Sequence, residues 1–153
     1  MAVHEGKPTG EGRRFCLVAS RFNRLVVERL VDGARAALSD AGVADEDVDL
    51  VWVPGAGELP WAAARAVDAG YDAVVALGCV IRGETPHFDY ICEAATRGLG
   101  ELTVRSDVPV TLGVLTCDTS DQARERAGGS HGNKGSDAAE AAVELADLAG
   151  RLP

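Results

Sequence analysis

The regular alternation of strand-like and helix-like segments is the feature that most restricts how this chain can fold. Short apolar runs typical of strands lie at residues 14–19, 48–53, 72–78 and 109–116. Segments with helical periodicity lie between and after them, at about 22–41, 60–69, 85–105, 119–127 and 136–150. This βαβαβαβαα order predicts an α/β fold in which helices cover both faces of a four-stranded parallel sheet.

Several helix boundaries are marked by residues that favour caps. Pro60 suits the first turn of the second helix. Thr85 is predicted to cap the third helix, with Pro86 at its first position. Ser136 is predicted to cap the last helix, and the helical period places one apolar face of that helix on Ala141, Leu145 and Leu148.

Length, composition and charge indicate a single globular domain. The chain has 153 residues, of which 46% are hydrophobic, and this excludes a disordered chain. We expect residues 1–12 to form a flexible tail and residues 13–153 to form the domain. The formal net charge of −9, without a cluster of Lys and Arg, argues against nucleic-acid binding. No apolar run approaches the ~20 residues that a membrane span needs.

The four cysteines favour a reduced, cytoplasmic protein. No two of them have the C-x-x-C spacing of a metal or redox site. Cys16, Cys79 and Cys117 lie in or directly after the strand-like apolar runs, and Cys92 falls in a predicted helix. The polar, glycine-rich start of the chain also lacks the pattern of a secretory signal. We therefore expect buried free thiols and no metal site.

In an open parallel sheet, ligands bind beyond the carboxyl ends of the strands. The loops at that edge are residues 20–24, 54–60, 79–87 and 116–119. The first loop carries Phe22, whose ring is exposed there unless something covers it. The second loop has glycines that let the main chain approach a ligand, and Glu58, which can accept hydrogen bonds from hydroxyl groups.

The third loop lies within the stretch GCVIRGETPHFDY at residues 78–90. A helix start offers unpaired N–H groups and a positive dipole end, which together favour an anion. Gly83 permits close approach, Thr85 adds a hydroxyl, and His87 lies in the first turn. The alternative is ordinary helix capping with a structural histidine. No P-loop or G-x-G-x-x-G pattern is present to support nucleotide binding.

Further along, Arg126 lies on the short helix before the glycine-rich stretch at 128–135. A guanidinium group can clamp a phosphate through two parallel hydrogen bonds. The alternative is a solvated helix face, and the local sequence alone favours that alternative.

Taken together, these motifs resemble a known family. SRFN, VPGAGELP, ALGCVIRGETPHFDYIC, PVTLGVLTCDTSDQARERAG and GNKGSDAAEAAVEL are similar to 6,7-dimethyl-8-ribityllumazine synthases over about residues 14–149. The resemblance implies a flavodoxin-like three-layer αβα sandwich and a transferase of riboflavin biosynthesis. Its substrates would be 5-amino-6-(D-ribitylamino)uracil and 3,4-dihydroxy-2-butanone 4-phosphate, with inorganic phosphate released and no cofactor or metal involved.

The resemblance also implies roles for individual positions. Phe22 would stack on the pyrimidine and Glu58 would accept the ribityl hydroxyls, beside Ala56 and Gly57. The main chain of Val80 and Ile81 would lie along the pyrimidine. The remaining positions would serve phosphate binding at Gly83, Glu84, Thr85 and Arg126, proton transfer at His87, and further substrate contacts at Leu112 and Lys134.

In the family the site lies between adjacent subunits of a pentamer, so Arg126 and Lys134 would reach in from a neighbour. The short segment at 128–135 resembles members that build a 60-subunit icosahedral capsid. Riboflavin synthase is a candidate partner.

Two positions depart from the family pattern, because Gly57 and Leu112 replace larger side chains. They support an alternative, a non-catalytic shell protein that binds a flavin or lumazine. A second alternative is a flavodoxin-like domain that binds flavin mononucleotide.

Overall fold

The chain forms one central sheet of four parallel strands, as the alternation predicts. The computed structural model describes residues 1–153. The strands are β1 Phe15–Ser20, β2 Val48–Val53, β3 Ala73–Ile81 and β4 Val110–Cys117. They lie in the order β2-β1-β3-β4, with every neighbouring pair parallel. The predicted flavodoxin-like α/β sandwich is therefore confirmed.

Helices cover the two faces of this sheet. They are α1 Arg24–Asp40, α2 Leu59–Asp68, α3 His87–Arg105, α4 Ser120–Glu125 and α5 Lys134–Ala149. Helices α1 and α5 contribute to the hydrophobic core on one face, and α2 and α3 contribute to the core on the other. A small antiparallel hairpin, β5 Ala127–Gly129 and β6 Gly132–Asn133, separates α4 from α5. None of the helices has the length and apolar character needed to cross a membrane.

Strand β1 shows why its sequence is a continuous apolar run. All six of its residues are buried. Successive side chains of a strand point to opposite faces, so Phe15, Leu17 and Ala19 enter the core beneath α1 and α5. Cys16 and Val18 enter the core beneath α2 and α3. A strand covered on both faces needs no polar alternation.

The strand order also decides where a ligand can bind. The connection from β1 runs outward to β2, whereas the connection from β2 crosses back to β3 on the far side of β1. The chain therefore leaves the carboxyl ends of β1 and β3 in opposite directions, and a crevice opens between them. The loops that follow these two strands are among the four that the sequence singles out.

The start of α3 differs from the prediction. Thr85 is not its cap, because the helix begins at His87 with Pro86 at the cap position and no side-chain cap. Strand β3 also continues to Ile81 instead of ending at residue 78, because β4 offers partners as far as Cys117, opposite Ile81. The turn between the strand and the helix is therefore shorter than predicted.

The predictions for α5 were wrong in its cap and in its buried face. Asn133, not Ser136, caps the helix, since its Oδ1 accepts hydrogen bonds from the N–H groups of Gly135 (2.8 Å) and Ser136 (3.1 Å). Leu145 lies on the outer face and is 40% exposed. The buried face consists of small side chains, which allow α5 to pack close to α1: Ala138, Ala139, Ala142, Val143 and Ala146.

The segment before β1 has no regular secondary structure and lies against α5. The N–H of Lys7 donates to Oδ2 of Asp147 (2.8 Å), and Arg13 pairs with Oδ1 of the same carboxylate (3.0 Å). Arg151 also contacts Asp147 (2.8 Å). The hydrogen bond from Lys7, with the two arginines, holds the pKa of the Asp147 carboxyl below its ordinary value.

All four cysteines are free. Cys16, Cys79 and Cys117 are buried on strands as expected, whereas Cys92 on α3 is only partly buried, contrary to the expectation. Burial raises the pKa of Cys16 to about 11 and that of Cys79 to about 12. Both side chains are therefore neutral thiols near pH 7 and behave as small apolar groups.

Candidate functional site

A cleft of about 510 Å³ opens at the carboxyl ends of β1 and β3. Its walls come from the loop after β1, the turn before α2, the end of β3 and the first turns of α3. Most of the predicted site residues line it together: Phe22, Ala56, Gly57, Glu58, Val80, Ile81, Gly83, Thr85 and His87.

Phe22 forms one wall of the cleft, and its ring is 72% exposed. The main chain around it is fixed, because its N–H donates to the carbonyl of Pro54 (3.1 Å). Asn23 adopts a left-handed conformation (φ 58°), and its side chain donates to the carbonyl of Cys79 (2.9 Å). The ring is thus held at the mouth of the cleft, where its face can stack on a planar ligand.

The turn before α2 supplies a free carboxylate. Residues Ala56–Glu58 form a single 3₁₀ turn, closed by a hydrogen bond from the N–H of Glu58 to the carbonyl of Gly55 (3.2 Å). The Glu58 side chain is exposed and makes no ion pair or hydrogen bond within the chain. It is therefore available as an acceptor for ligand hydroxyl groups.

The turn between β3 and α3 presents several unused main-chain donors. No hydrogen bond within the chain involves the N–H groups of the following residues: Gly83, Glu84, Thr85, His87 and Phe88. Helix α3 continues from this turn for 19 residues, so the positive end of a long helix dipole lies at the same place. Free N–H donors at a helix start form a site suited to phosphate or carboxylate.

His87 is the first residue of α3 and lies exposed at this edge of the cleft. Its imidazole therefore sits beside the free N–H groups, where it can exchange a proton with a ligand bound at them. Glu84 belongs to the same turn, but its side chain does not line the cleft.

The other three predicted residues lie outside this cleft. Leu112 is on β4, opposite Ala76, and is 38% exposed. Arg126 follows α4 and donates from Nη1 to the carbonyl of Gln122 (3.1 Å). Lys134 begins α5, with its Nζ 3.4 Å from Oδ2 of Asp137. A single chain therefore does not bring these residues to Phe22 and His87.

Sequence reasoning missed five of the residues that line the cleft: Pro54, Gly55, Cys79, Phe88 and Ile91. Ile91 lies four positions after His87, which places both on one face of α3, so helical spacing from His87 could have found it. The ideal Cβ position of Gly57 lies 3.8 Å from Cδ1 of Ile91, so the cleft has space at this point.

The cleft therefore combines an exposed aromatic ring, an unpaired carboxylate, a histidine and a set of free N–H groups. These groups suit a planar, hydroxyl-bearing molecule at one end and an anionic group at the other. The thiol of Cys79 is only 1% exposed and belongs to the core beneath α1 and α5, so it offers no nucleophile to the cleft.

Comparison with known proteins agrees with this chemistry. The family model described as 6,7-dimethyl-8-ribityllumazine synthase matches residues 12–150. The protein of that name from Gemmatimonas aurantiaca is 57% identical over 149 residues, covering 97% of this chain and 91% of the relative. The one from Aquifex aeolicus is 51% identical, covering 97% of each chain. A third, from Anaeromyxobacter sp. (strain K), is 53% identical and covers 97% and 92%.

Proposed function

Because the chain belongs to the 6,7-dimethyl-8-ribityllumazine synthase family, we propose that it is the transferase that makes 6,7-dimethyl-8-ribityllumazine in riboflavin biosynthesis. It condenses 5-amino-6-(D-ribitylamino)uracil with 3,4-dihydroxy-2-butanone 4-phosphate. The amine and the ketone form an imine with loss of water, inorganic phosphate leaves, and ring closure with loss of a second water yields the product. The observation that carries this proposal is the set of free N–H groups around Thr85 beside His87, in the same cleft as Phe22.

The pyrimidine substrate occupies the Phe22 side of the cleft. The exposed ring stacks on the pyrimidine, and the main chain of Val80 and Ile81 runs beside it. The free carboxylate of Glu58 accepts hydrogen bonds from the ribityl hydroxyls. The small residues Ala56 and Gly57 let this chain of hydroxyls approach the turn.

The phosphate of the ketone binds at the start of α3. The free N–H groups of Gly83, Glu84 and Thr85 donate to its oxygens, and the hydroxyl of Thr85 adds another donor. His87 gives a proton to the leaving group or takes one from the reacting amine. Most of the rate acceleration comes from holding two reactive partners in register, because an amine and a ketone need little further activation.

The complete site is shared between two subunits of a pentamer. The proposal is supported by the position of Leu112, Arg126 and Lys134, which lie outside the cleft of their own chain. A neighbouring subunit supplies them, with Arg126 closing on the phosphate and Lys134 making a further substrate contact. Exposed apolar side chains such as Tyr90 (70%) and Val104 (84%) on α3 leave surface for such an assembly.

The pentamers assemble further into a 60-subunit icosahedral capsid, in which riboflavin synthase is a candidate partner. The short hairpin β5–β6 between α4 and α5 supports this proposal, because it carries no insertion that would hinder packing. The enzyme works in the cytoplasm, where its four free cysteines stay reduced. Light scattering and electron microscopy of the purified protein separate a pentamer from a shell.

The decisive experiment mixes the purified protein with the two substrates and follows lumazine absorbance together with phosphate release. We expect both signals to appear in equal amounts. A protein that binds lumazine but produces neither signal would instead be the non-catalytic shell protein. A domain for flavin mononucleotide is not favoured, because the loop after β1 carries no hydroxyl side chain, and Ser20 at the end of β1 is fully buried.

Subunit mixing tests the shared site. His87→Ala and Arg126→Ala are refolded together in equal amounts. If one chain supplies His87 and its neighbour supplies Arg126, about one quarter of the sites in random mixed rings regain both groups. If each chain carried a complete site, the mixture would show only the average of the two separate variants.

A further inference from the structure

One residue contacts both ends of the anion-binding turn, which is defined here as residues 83–86. Arg82 follows β3, and its N–H donates to the carbonyl of Cys117 (2.9 Å), which makes it the last residue tied to the sheet. Its guanidinium carbon lies 4.4 Å from the centroid of the Phe88 ring on α3. Its Nε donates to Oδ1 of Asp118 (2.8 Å), and its Nη1 lies 3.3 Å from Oδ1 of Asp89.

The turn between these contacts has no internal support. Gly83, Glu84 and Thr85 neither donate nor accept a hydrogen bond within the chain. The position of the turn therefore depends on its two ends, the last residue of the sheet and the first turn of α3. The Arg82 side chain bridges these two ends by stacking on Phe88 and pairing with Asp89.

The same guanidinium is linked through Asp118 to α4, the helix that Arg126 follows. The main-chain N–H of Asp118 donates to Oε1 of Gln122 (2.8 Å), which fixes the main chain of the residue that Arg82 binds. The carbonyl of Gln122 in turn accepts a hydrogen bond from Nη1 of Arg126 (3.1 Å). A chain of contacts therefore runs from the anion-binding turn through Arg82 and Asp118 to Gln122 on α4.

We propose that Arg82 is a positioning residue for phosphate binding, an inference that rests on the proposed function. Its side chain does not line the cleft, so it acts through the turn and not on the substrate. A planar group that stacks on a ring and bonds two carboxylates fixes the direction of the free N–H donors, and Lys or Gln cannot reproduce this geometry. The pyrimidine pocket at Phe22 and Glu58 does not contact Arg82.

The test compares the two substrates in Arg82→Gln and in Asp118→Asn. We expect the KM for the phosphorylated ketone to rise about fivefold to tenfold in each variant, the range for losing a charged hydrogen bond at a partly exposed site. The KM for the pyrimidine should stay within twofold of the wild type. The double variant should be no worse than Arg82→Gln alone, because both substitutions break the same contact.

Arg35→Gln is the matched control. Arg35 also makes a 2.8 Å ion pair, with Asp45, but it lies on α1 and contacts no residue of the cleft. We expect both of its KM values to be unchanged. If Arg82→Gln left both KM values unchanged, or raised them equally, the positioning role would be overturned.

Calorimetric titration with inorganic phosphate tests the inference apart from turnover. We expect the wild type and Arg35→Gln to bind phosphate with equal affinity, and Arg82→Gln to bind it about fivefold to tenfold more weakly. A wild type that binds phosphate but forms no lumazine would refute the proposed function and leave this role intact. Equal phosphate affinity in Arg82→Gln and the wild type would refute the role of Arg82.

Discussion

The main-chain N–H of Lys134 donates a 2.9 Å hydrogen bond to the carbonyl oxygen of Arg126. The hairpin β5–β6 folds the intervening residues back, so the two cations leave the main chain from neighbouring points. Neither side chain enters the cleft of its own chain. The hairpin thus holds the main chain of these two residues side by side, which fits their proposed role in the site of an adjacent subunit.

Replacing Arg126 by Ala should raise the KM for the phosphorylated ketone by about 10- to 100-fold, because a bidentate contact to phosphate is lost. The KM for the pyrimidine should change little. Steady-state kinetics with each substrate varied in turn measures both values. Arg124→Ala is the control, since Arg124 lies two positions before Arg126, at the end of α4, but pairs with Asp121. An unchanged KM for the ketone in Arg126→Ala would show that Arg126 does not bind the phosphate.

Replacing His87 by Ala should lower kcat by at most about 10²- to 10⁴-fold and leave measurable activity. The reason is that His87 contributes only proton transfer, whereas the positioning of the two substrates depends on other groups. Single-turnover absorbance changes report the rate. His131→Ala, a substitution of an exposed histidine on the β5–β6 turn, should have wild-type kcat. Complete loss of activity in a folded His87→Ala oligomer would contradict this account.

Replacing Gly57 or Gly55 by Ala should change the KM for the pyrimidine in opposite directions. At Gly57 an added Cβ would meet Cδ1 of Ile91 at 3.8 Å, an ordinary contact that fills space in the cleft. Gly57→Ala should therefore lower the KM for the pyrimidine by up to about fourfold, the effect of roughly one buried carbon. At Gly55 the added Cβ would lie 3.0 Å from Oε2 of Glu58 and displace the carboxylate. Gly55→Ala should raise the same KM. If both substitutions changed this KM in the same direction, packing against Ile91 would not explain the effect of Gly57→Ala.

The part of the site that follows from the order of strands and helices could be predicted from the sequence. The strand-helix alternation places the loops of Phe22, Glu58 and His87 at one edge of the sheet, and the structure brings them into one cleft. The bridging role of Arg82 could not be predicted, because its partner Asp118 is 36 residues away and meets it only through the pairing of β3 with β4.

The errors at α5 have a similar cause. Helical period alone favours the larger side chain of Leu145 as the buried one. The packing partner α1 decides otherwise, because a close approach between the two helices requires small residues such as Ala142. The cap also depends on tertiary structure: the side chain of Asn133 is held by a hydrogen bond to the carbonyl of Arg29 on α1 (3.0 Å).

The Asp147 carboxylate should make the thermal stability of the protein depend on pH. Its folded-state pKa is lowered, so its contribution is complete above the ordinary carboxyl value of 3.8 and disappears as the pH falls through the lowered value. Asp147→Asn should lower the Tm at pH 7, and the difference from the wild type should shrink towards about pH 2. Asp40→Asn, at a carboxylate without an ion pair, is the control. A difference that stayed constant from pH 7 to pH 2 would mean that the charge of Asp147 is not responsible.

The contact between α1 and α5 should tolerate no side chain at Gly135. A Cβ there would lie 2.0 Å from the carbonyl oxygen of Leu30, so Gly135→Ala must push the two helices apart. We expect the free energy of unfolding to fall by about 1–3 kcal/mol, the usual effect of overpacking.

Gly100 on α3 is the matched control, because its Cβ would meet nothing within 4 Å. Gly100→Ala should raise the stability by about 0.4–1 kcal/mol through a less flexible unfolded chain. Denaturant titration of both variants measures the two changes, and a Gly135→Ala protein as stable as the wild type would contradict the close approach of these helices.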